Sequence, residues 1–488
     1  MFEKITPEKS GISSKAVLDT VSRLERNGYN FHSFMIVKDG KTLTEAYWKP
    51  FKINQPHRMY SVTKSFVAVA IGALYTNGLV DLDKPFVSYY PEYEYLNIKE
   101  NLKKQTVREM LTMTTAACPV NWFEAKPNDR LGLYLSSDAP RMPGTWFQYD
   151  SSGSFALGCL VEKLSDKKLI SYMREAFLDE IGFSKDAYML SCPGGHSWGD
   201  SAMICSMRDL ALFTQLVMNE GEWNGKQLID RQYMKEAVSS LSRPNLSNDI
   251  DHKYAYGYQI WKPREDAFSF DGMGGQYAIA LPKKNLMFLC NADNQSPNTD
   301  ANTVALFHAI LELLDNFSDE LPDNPDALKE LEAYCSSRIL RCAIGDSHNA
   351  LQKEVSGKVF RCDDNPMGWE YFTIDFDQKV LKYKNAQGEK ELRFAFGENV
   401  FQKFPQWGYS DQVGSQSGGA NYKYDCAVSA AWQAGNNFSI FVQIIDKYLG
   451  RLTINICFRD SKSCGVLMEK TAEDFLNEYQ GSLIAYTE

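Results

Sequence analysis

Alternating apolar and polar positions predict β-strands at both ends of roughly the first 315 residues. Residues 33–37 and 42–47 flank Asp39-Gly40, a pair suited to the tight two-residue turn of a hairpin. Further strand patterns follow much later, at residues 254–261, 276–281 and 286–290. Because the strands lie on either side of a helical region, the pattern predicts one sheet assembled from distant parts of the chain.

Apolar residues at helical spacing predict the helices between these strands. The longest begins at Ser61 and ends at Asn77-Gly78, a residue pair that commonly closes a helix. The middle of this region is therefore expected to be an all-helical insertion. Three more helix starts are marked by capping boxes or by a serine-rich turn: Thr106–Glu109, Ser206–Asp209 and Ser151–Gly153.

The pattern changes after residue 318. Residues 319–330 are acidic and contain prolines, which is typical of a linker. We therefore expect a first domain over residues 1–318 and a second over residues 331–488, built as a small antiparallel β-barrel or sandwich. Three alternating segments carry the second expectation: residues 371–376, 438–444 and 452–458.

Composition and charge exclude several classes of protein. Hydrophobic residues make up 44% and charged residues 23% of the 488 positions, as in ordinary folded proteins, and the net charge of −10 disfavours nucleic acid or an anionic membrane as partner. The sequence shows neither a targeting segment nor a membrane-spanning stretch, so we expect a cytoplasmic protein. Eleven cysteines without a Cys-x-x-Cys pair and six dispersed histidines predict no metal site and no cofactor.

The clearest chemical signal is Ser61-Val62-Thr63-Lys64 at the start of the long helix. Residues three apart on a helix share a face, which brings the Ser61 hydroxyl and the Lys64 amine together. An alcohol becomes a good nucleophile when a base removes its proton, and an uncharged lysine is such a base. The same short pattern recurs at Ser165–Lys168, in a polar break between apolar stretches, which we interpret as a loop joining two helices.

Residues 1 to about 315 resemble the serine β-lactamase and penicillin-binding-protein superfamily, in its class C, esterase and D-aminopeptidase branch. The resemblance implies a fold of the α/β (α+β) class, an antiparallel sheet flanked by helices, and acyl-enzyme chemistry without a cofactor. The predicted C-terminal barrel resembles the lipocalin-like appendages of some relatives. Four segments carry the resemblance, in the order and spacing of that branch: Ser61–Phe66, Thr106–Thr115, Pro143–Gly153 and Gly272–Gln276.

The resemblance also implies roles for individual residues. Tyr149 would share proton transfer with Lys64, and the sequence leaves open which of the two is the base. Met273-Gly274-Gly275 would form the third motif of the family, on a strand beside the nucleophile. The backbone N–H groups of Ser61 and Gln276 would then form the oxyanion hole.

Two departures from the family pattern bear on the substrate. Ser151 stands where the second motif has asparagine, and Met273 stands where the third motif has a cation that holds the substrate carboxylate. Without that cation a carboxylate would lose its partner, so neutral esters or amides fit better than penicillins or D-alanyl peptides. Three aromatic residues are candidates for an apolar acyl pocket: Trp122, Phe123 and Trp146.

Three functions stay open at this point. The leading hypothesis is a serine hydrolase that cleaves small esters or amides through an acyl-enzyme on Ser61. A D-aminopeptidase, DD-peptidase or β-lactamase is the second, and a non-catalytic penicillin-binding or sensor module is the third. The expected partner is a small ester, amide or peptide substrate, and a homo-oligomer is compatible with the sequence, which leaves the oligomeric state open.

Overall fold

The computed structural model describes residues 3–121, 128–244, 254–295, 301–407, 423–472 and 475–487. The chain forms two compact units, residues 1–339 and 340–488. The helix Pro325–Ser336 belongs to the first unit, so the boundary lies after the predicted linker. The composition that suggested a linker is in part a helix start, because Asn324 accepts a hydrogen bond from the N–H of Ala327 and Pro325 occupies the first turn.

The first unit is built on a seven-stranded antiparallel sheet. The strand order is β2-β1-β12-β11-β10-β9-β8, and β1 pairs with β12 along its length, with Ile36 opposite Phe288. The sheet therefore joins the two ends of the unit, as the alternation predicts. The strands of this unit are β1 (Phe31–Lys38), β2 (Lys41–Tyr47), β3 (His57–Arg58), β4 (Tyr188–Met189), β5 (Met203–Cys205), β6 (Glu222–Trp223), β7 (Lys226–Gln227), β8 (Ala255–Tyr256), β9 (Trp261–Arg264), β10 (Ala267–Gly272), β11 (Gln276–Leu281) and β12 (Leu286–Ala292).

Helices surround the sheet, and the helix Val62–Thr76, called the serine helix below, is buried over most of its length. It packs against the helix Ser151–Ser165. The insertion also holds the small sheet β3-β5-β4 and the hairpin β6-β7, so it is not entirely helical. The other helices of the unit are Ser14–Arg26, Glu100–Lys104, Val107–Leu111, Arg130–Leu135, Leu169–Met173, Met207–Met218, Arg231–Ala237, Ala301–Asp315 and Pro325–Ser336.

The strand predicted over residues 254–261 is interrupted. β8 ends at Tyr256 and β9 begins at Trp261, because the chain leaves the sheet between them. The backbone of Gln259 has a φ of 53°, and its N–H donates to the carbonyl oxygen of Leu111 at 2.9 Å. The apolar character of this segment therefore reflects its burial as well as its pairing.

The second unit is a nearly closed antiparallel barrel. Its strand order is β16-β15-β14-β13-β22-β21-β20-β19-β18-β17, and the side chain of Gln402 on β17 bonds the backbone of Arg393 at the end of β16. A short 3-10 turn, Asn477–Tyr479, precedes the last strand of the barrel. The strands are β13 (Phe360–Cys362), β14 (Tyr371–Asp375), β15 (Val380–Asn385), β16 (Gly388–Arg393), β17 (Val400–Lys403), β18 (Asp425–Gln433), β19 (Asn437–Ile445), β20 (Leu449–Phe458), β21 (Ser463–Ala472) and β22 (Gly481–Tyr486), and the helix Gln352–Val355 precedes them.

Within the ranges given above, no helix is both long and apolar enough to cross a membrane.

Candidate active site

A sharp turn places Ser61 at the start of the serine helix. β3 ends at Arg58, and the backbone of Tyr60 then adopts a φ of 47°, which bulky residues rarely do. The guanidinium group of Arg58 lies over the Tyr60 ring, 4.4 Å from its centroid, and Tyr60 is buried. Packing thus holds the unusual backbone, and such conformations cluster at functional sites.

Ser61 and Lys64 are in direct contact, as their spacing predicts. Lys64 Nζ donates to Ser61 Oγ at 3.0 Å and to the backbone carbonyl oxygen of Asp200 at 2.7 Å. Only 2% of Lys64 is exposed, whereas Ser61 is partly exposed. The arrangement presents the hydroxyl toward solvent and keeps the amine behind it, with two of its three donor positions aimed at these oxygens.

The second Ser-x-x-Lys has a different geometry. Ser165 Oγ donates to the carbonyl oxygen of Val161 at 2.7 Å, and Lys168 Nζ donates to that of Gly195 at 2.6 Å. Ser165 is the last residue of its helix, so Lys168 does not continue the helical face. This copy lies at a helix end, as its polar surroundings indicate.

Tyr149 flanks the lysine with the face of its ring. Lys64 Nζ lies 5.1 Å from the ring centroid, a distance suited to a cation–π contact. The ring also stacks on that of Trp261, at 5.8 Å between centroids. Among the described residues, no hydrogen bond joins the Tyr149 hydroxyl to Ser61 or Lys64.

The cap of the next helix fixes the backbone just after Tyr149. Asp150 accepts a hydrogen bond from the N–H of Ser152 at 2.9 Å and one from its hydroxyl, and Thr115 Oγ1 donates to Asp150 at 3.4 Å. Burial raises the pKa of the Asp150 carboxyl group. Ser151, which stands at the asparagine position of the family motif, is the first residue of this helix and is partly exposed.

The hairpin between β10 and β11 lies against the segment that precedes Ser61. A Cβ atom on Gly272 would lie 2.4 Å from the carbonyl oxygen of Met59, so the two backbones are in contact. Gly274 and Gly275 have φ values of 84° and 94°, which form the turn. The hairpin is therefore beside the start of the serine helix, where the resemblance implies the third motif.

The side chains of this hairpin point in two directions. Met273 is 38% exposed, whereas Gln276 is buried at the start of β11. Gln276 Nε2 donates to the carbonyl oxygens of Met273 at 2.9 Å and Ala292 at 2.6 Å. The Gln276 side chain thus holds the turn together.

Gln259 is a structural residue that sequence reasoning missed. Its side chain accepts from Ser154 Oγ at 2.6 Å and donates to the carbonyl oxygen of Met110 at 2.9 Å, and its carbonyl oxygen accepts from Ser65 Oγ at 2.8 Å. It therefore ties three helices together beneath the site. The sequence signal that could have identified it is a glutamine inside an otherwise apolar segment.

Asp200 is a second missed residue. Its carbonyl oxygen accepts from Lys64, and its side chain is only 4% exposed. Burial raises the pKa of the Asp200 carboxyl group, against the opposing effect of the positive charge on Lys64. No local sequence pattern marks this position, because its place depends on how residues 190–203 pack.

The aromatic residues that the sequence suggested for an acyl pocket are not the ones that pack beside Tyr149 in the structure. Trp146 is 58% exposed, and Trp122 and Phe123 lie outside the described residues. Phe147, the residue after Trp146, is buried. The cluster that packs beside Tyr149 consists of Met113, Phe147, Tyr256 and Trp261.

Comparisons with known proteins show which family the first unit matches. The beta-lactamase family model matches residues 29–311. The 6-aminohexanoate-dimer hydrolase of Paenarthrobacter ureafaciens is 21% identical over 288 residues, which cover 55% of this chain and 74% of that relative. The family match spans more than half of the chain, from β1 to the helix Ala301–Asp315.

Solved structures show the same fold. A Bacillus anthracis protein assigned as a 6-aminohexanoate-dimer hydrolase superposes with a TM-score of 0.53 at 19% identity, covering 66% of this chain and 89% of its own. The crystal structure of SurE with D-Leu superposes with a TM-score of 0.50 at 14% identity, covering 88% of this chain and 94% of its own. At these identities the likeness is one of fold.

Proposed function

The chain belongs to the beta-lactamase family, and we propose that it is a serine hydrolase that forms an acyl-enzyme on Ser61. The observation that carries the proposal is the 3.0 Å contact between Lys64 Nζ and Ser61 Oγ. A buried amine in hydrogen-bond contact with a partly exposed hydroxyl is the arrangement that nucleophilic catalysis requires. The 6-aminohexanoate-dimer hydrolase relative supports hydrolysis as the reaction.

In the acylation step Ser61 Oγ attacks the substrate carbonyl carbon, and its proton passes to the uncharged amine of Lys64. The carbonyl oxygen gains negative charge, which the backbone N–H groups of Ser61 and Gln276 would stabilise. Among the described residues, the N–H of Ser61 donates no other hydrogen bond. The tetrahedral intermediate then expels the alcohol or amine, which takes a proton from Lys64 or Tyr149. Water repeats the sequence on the acyl-enzyme and releases the acid.

We expect small esters or amides without a carboxylate at the Met273 position. Met273 is partly exposed on the hairpin beside Ser61 and carries no charge with which to hold a carboxylate. The cluster of Phe147, Tyr256 and Trp261 beside Tyr149 would favour an apolar acyl group. Penicillins and D-alanyl peptides are therefore expected to be poor substrates.

The experiment is to label the chain with a fluorophosphonate probe and to follow hydrolysis of a p-nitrophenyl short-chain ester. Ser61→Ala should abolish both labelling and turnover. Ser165→Ala is the matched control, because that serine also begins a Ser-x-x-Lys but its hydroxyl bonds Val161 while Lys168 bonds Gly195, and it should leave both unchanged. Labelling at another residue would overturn the proposal.

Two further substrates separate the alternatives. Turnover of nitrocefin or of D-alanyl-p-nitroanilide at rates comparable to the ester would favour a β-lactamase or D-aminopeptidase over the preferred assignment. Stoichiometric labelling of Ser61 without any turnover would favour a binding or sensor module. In each assay, the turnover or labelling of Ser61→Ala serves as the background value.

A further inference from the structure

The seven-stranded sheet ends on one side at β2, whose outer edge is only partly covered. The N–H of Trp48 donates to the carbonyl oxygen of His32 on β1 at 2.9 Å. Because the backbone groups of successive residues in a strand point to opposite sides, those of Tyr47 and Glu45 point away from β1. Among the described residues, these outward N–H and C=O groups form no hydrogen bond. The middle of the edge therefore lacks a partner strand.

Short segments pair with the chain at both ends of this free edge. Thr42 donates its N–H to the carbonyl oxygen of Glu3 at 2.8 Å and accepts from the N–H of Ile5 at 3.1 Å. The N–H of Lys49 donates to the carbonyl oxygen of Arg338 at 3.1 Å. Both segments run parallel to the part of the chain with which they pair. The free edge thus lies between two segments that extend the sheet in the same direction.

A cavity of about 830 Å³ follows the free edge. It is lined by residues 43–47, by the N-terminal segment and by the helix Pro325–Ser336. Its apolar walls include Leu43, Phe51 and Leu331, which are buried. Ligand sites in proteins commonly have volumes of about 300–1,000 Å³ and mostly apolar walls. An extended peptide would therefore find both backbone partners and apolar contacts in this cavity.

The charged groups of the cavity favour an acidic occupant. Two carboxylates line it, of which that of Glu45 is bound by Arg208 at 2.7 Å and that of Glu332 is exposed. Three exposed lysines that form no ion pair with another described residue line it as well: Lys4, Lys49 and Lys52. The three lysines outnumber the one unpaired glutamate, so the cavity has an excess of positive charge.

We propose that the edge of β2 between residues 42 and 49 binds an extended acidic peptide segment of another protein, which adds to the sheet as a strand. In strand addition, main-chain hydrogen bonds give affinity and alternate side chains give specificity. A segment of about six residues matches residues 43–48, because paired strands have nearly the same rise per residue. The peptide runs parallel to β2, as the two flanking segments do, and its acidic side chains meet the lysines.

The proposed peptide site does not depend on the hydrolase function, because none of the cavity's lining residues belongs to the candidate active site. Lysines at an exposed sheet edge have a second known role, which is to prevent pairing with other chains. The two roles differ in one measurable respect. A binding site takes up an acidic peptide, whereas a protected edge does not.

The test is the binding of a fluorescein-labelled hexapeptide of alternating glutamate and valine, amidated at its C-terminus, to the full chain. Fluorescence anisotropy should show saturable binding at concentrations up to about 1 mM. A hexapeptide with lysine in place of glutamate should bind at least about tenfold more weakly, because the lysines of the cavity repel it. Treatment with the fluorophosphonate probe should leave the affinity unchanged.

Two N-methylated forms of the hexapeptide test the strand geometry without changing the protein. One form carries methyl groups on the backbone nitrogens of its glutamates, and the other on those of its valines. A strand that pairs along one side uses only alternate N–H groups. One form should therefore bind as the parent does, and the other at least about tenfold more weakly.

Charge reversal locates the site on the protein. Lys49→Glu combined with Lys52→Glu should weaken binding at least about tenfold, because two attractive charges become repulsive. The matched control is Lys104→Glu combined with Lys353→Glu, which changes the net charge equally at exposed lysines outside the cavity. That control should keep the affinity within about twofold, because salt screens distant surface charges.

A proline substitution tests the outward N–H of Tyr47. Tyr47→Pro removes this N–H, and Tyr47→Ala keeps it while removing the same side chain. Proline is tolerated on edge strands where the N–H faces away from the neighbouring strand. Tyr47→Pro should bind the peptide at least about tenfold more weakly than Tyr47→Ala, with cooperative urea unfolding in both variants.

Any of four results would overturn the inference. Absence of saturable binding shows that the lysines only protect the edge. Equal affinity of the two N-methylated forms shows that the peptide does not add as a strand. Unchanged affinity in the Lys49 and Lys52 double variant places the peptide elsewhere, and loss of binding after fluorophosphonate treatment places it in the active site. The labelling of Ser61 is a separate result, and its failure would refute the hydrolase and leave the peptide site standing.

Discussion

Gly272→Ala tests whether the β10–β11 hairpin supplies half of the oxyanion hole. Gly272 is the last residue of β10 and lies opposite Gln276 across the turn. An added Cβ would stand 2.4 Å from the carbonyl oxygen of Met59, two residues before Ser61. It would also lie 3.0 Å from the Gln276 Cβ. The substitution therefore pushes apart the two segments whose N–H groups are proposed to bind the oxyanion.

The size of the displacement follows from contact distances. Carbon and carbonyl oxygen normally approach to about 3.3 Å, so the hairpin must move by about 0.9 Å relative to Met59. A misplacement of about 1 Å in a catalytic site costs on the order of 100-fold in rate. Loss of one oxyanion donor costs a similar 100-fold to 1,000-fold. We therefore expect kcat/KM to fall about 100-fold, mainly through kcat.

The assay is steady-state hydrolysis of a p-nitrophenyl ester together with urea unfolding. Overpacking at Gly272 should lower the free energy of unfolding by about 1–3 kcal/mol. Gly465→Ala is the control, because the nearest atom to its added Cβ is 4.0 Å away and its φ is not in the left-handed region. That control should keep full activity and unchanged or slightly higher stability.

Retention of activity within about twofold in Gly272→Ala, with a measurable loss of stability, would refute the reasoning. The hairpin would then have moved without consequence for the reaction. Gln276 would have to be removed from the proposed oxyanion hole, and the second donor sought elsewhere.

Three further predictions concern Tyr149 beside the Lys64 amine, His57 on β3 and Gln259 beneath the site. Tyr149→Phe keeps the ring over Lys64 and removes the hydroxyl, so kcat/KM should fall about 100-fold or more while the free energy of unfolding changes by less than about 1 kcal/mol. Burial lowers the pKa of His57 to about 4 from 6.5, so stability should be full above pH 6.5 and fall by about 3 kcal/mol as pH drops to 4. His57 Nδ1 donates to the Arg58 carbonyl oxygen, so a second proton would face the ring nitrogen of His32 at 2.9 Å. Gln259→Ala should lower the free energy of unfolding by about 2–4 kcal/mol in urea titrations, because it removes the buried side-chain bonds to Ser154 and Met110, which belong to two different helices.

Each of these has a control variant or an outcome that would contradict it. Wild-type kinetics in Tyr149→Phe would leave Lys64 as the sole proton carrier. His348→Gln, at an exposed histidine, should keep the acid dependence of stability that His57→Gln removes, and equal slopes in both would contradict the assignment to His57. Gln232→Ala, at an exposed glutamine whose side chain bonds Glu236, should change stability by less than about 0.5 kcal/mol.

Local pattern predicted much of the fold because the relevant forces act between near neighbours. Both capping boxes, Thr106–Glu109 and Ser206–Asp209, are present with their reciprocal hydrogen bonds. The serine helix runs from Val62 to Thr76, close to the predicted limits. Local pattern failed where tertiary contacts decide. Gln259 takes a left-handed backbone to reach Leu111, which interrupts a strand that the alternation predicted.

For the site, the sequence by itself determined the contact between Ser61 and Lys64, because residues three positions apart on one helix lie on the same face. Only the tertiary structure decided that the face of Tyr149, the hairpin at Gly272 and the backbone carbonyl oxygen of Asp200 meet at that pair. These groups come from segments far apart in the chain, and their distances depend on how helices and sheet pack. Burial and charge around Asp200 arise from that packing, so no local pattern of residues could indicate them.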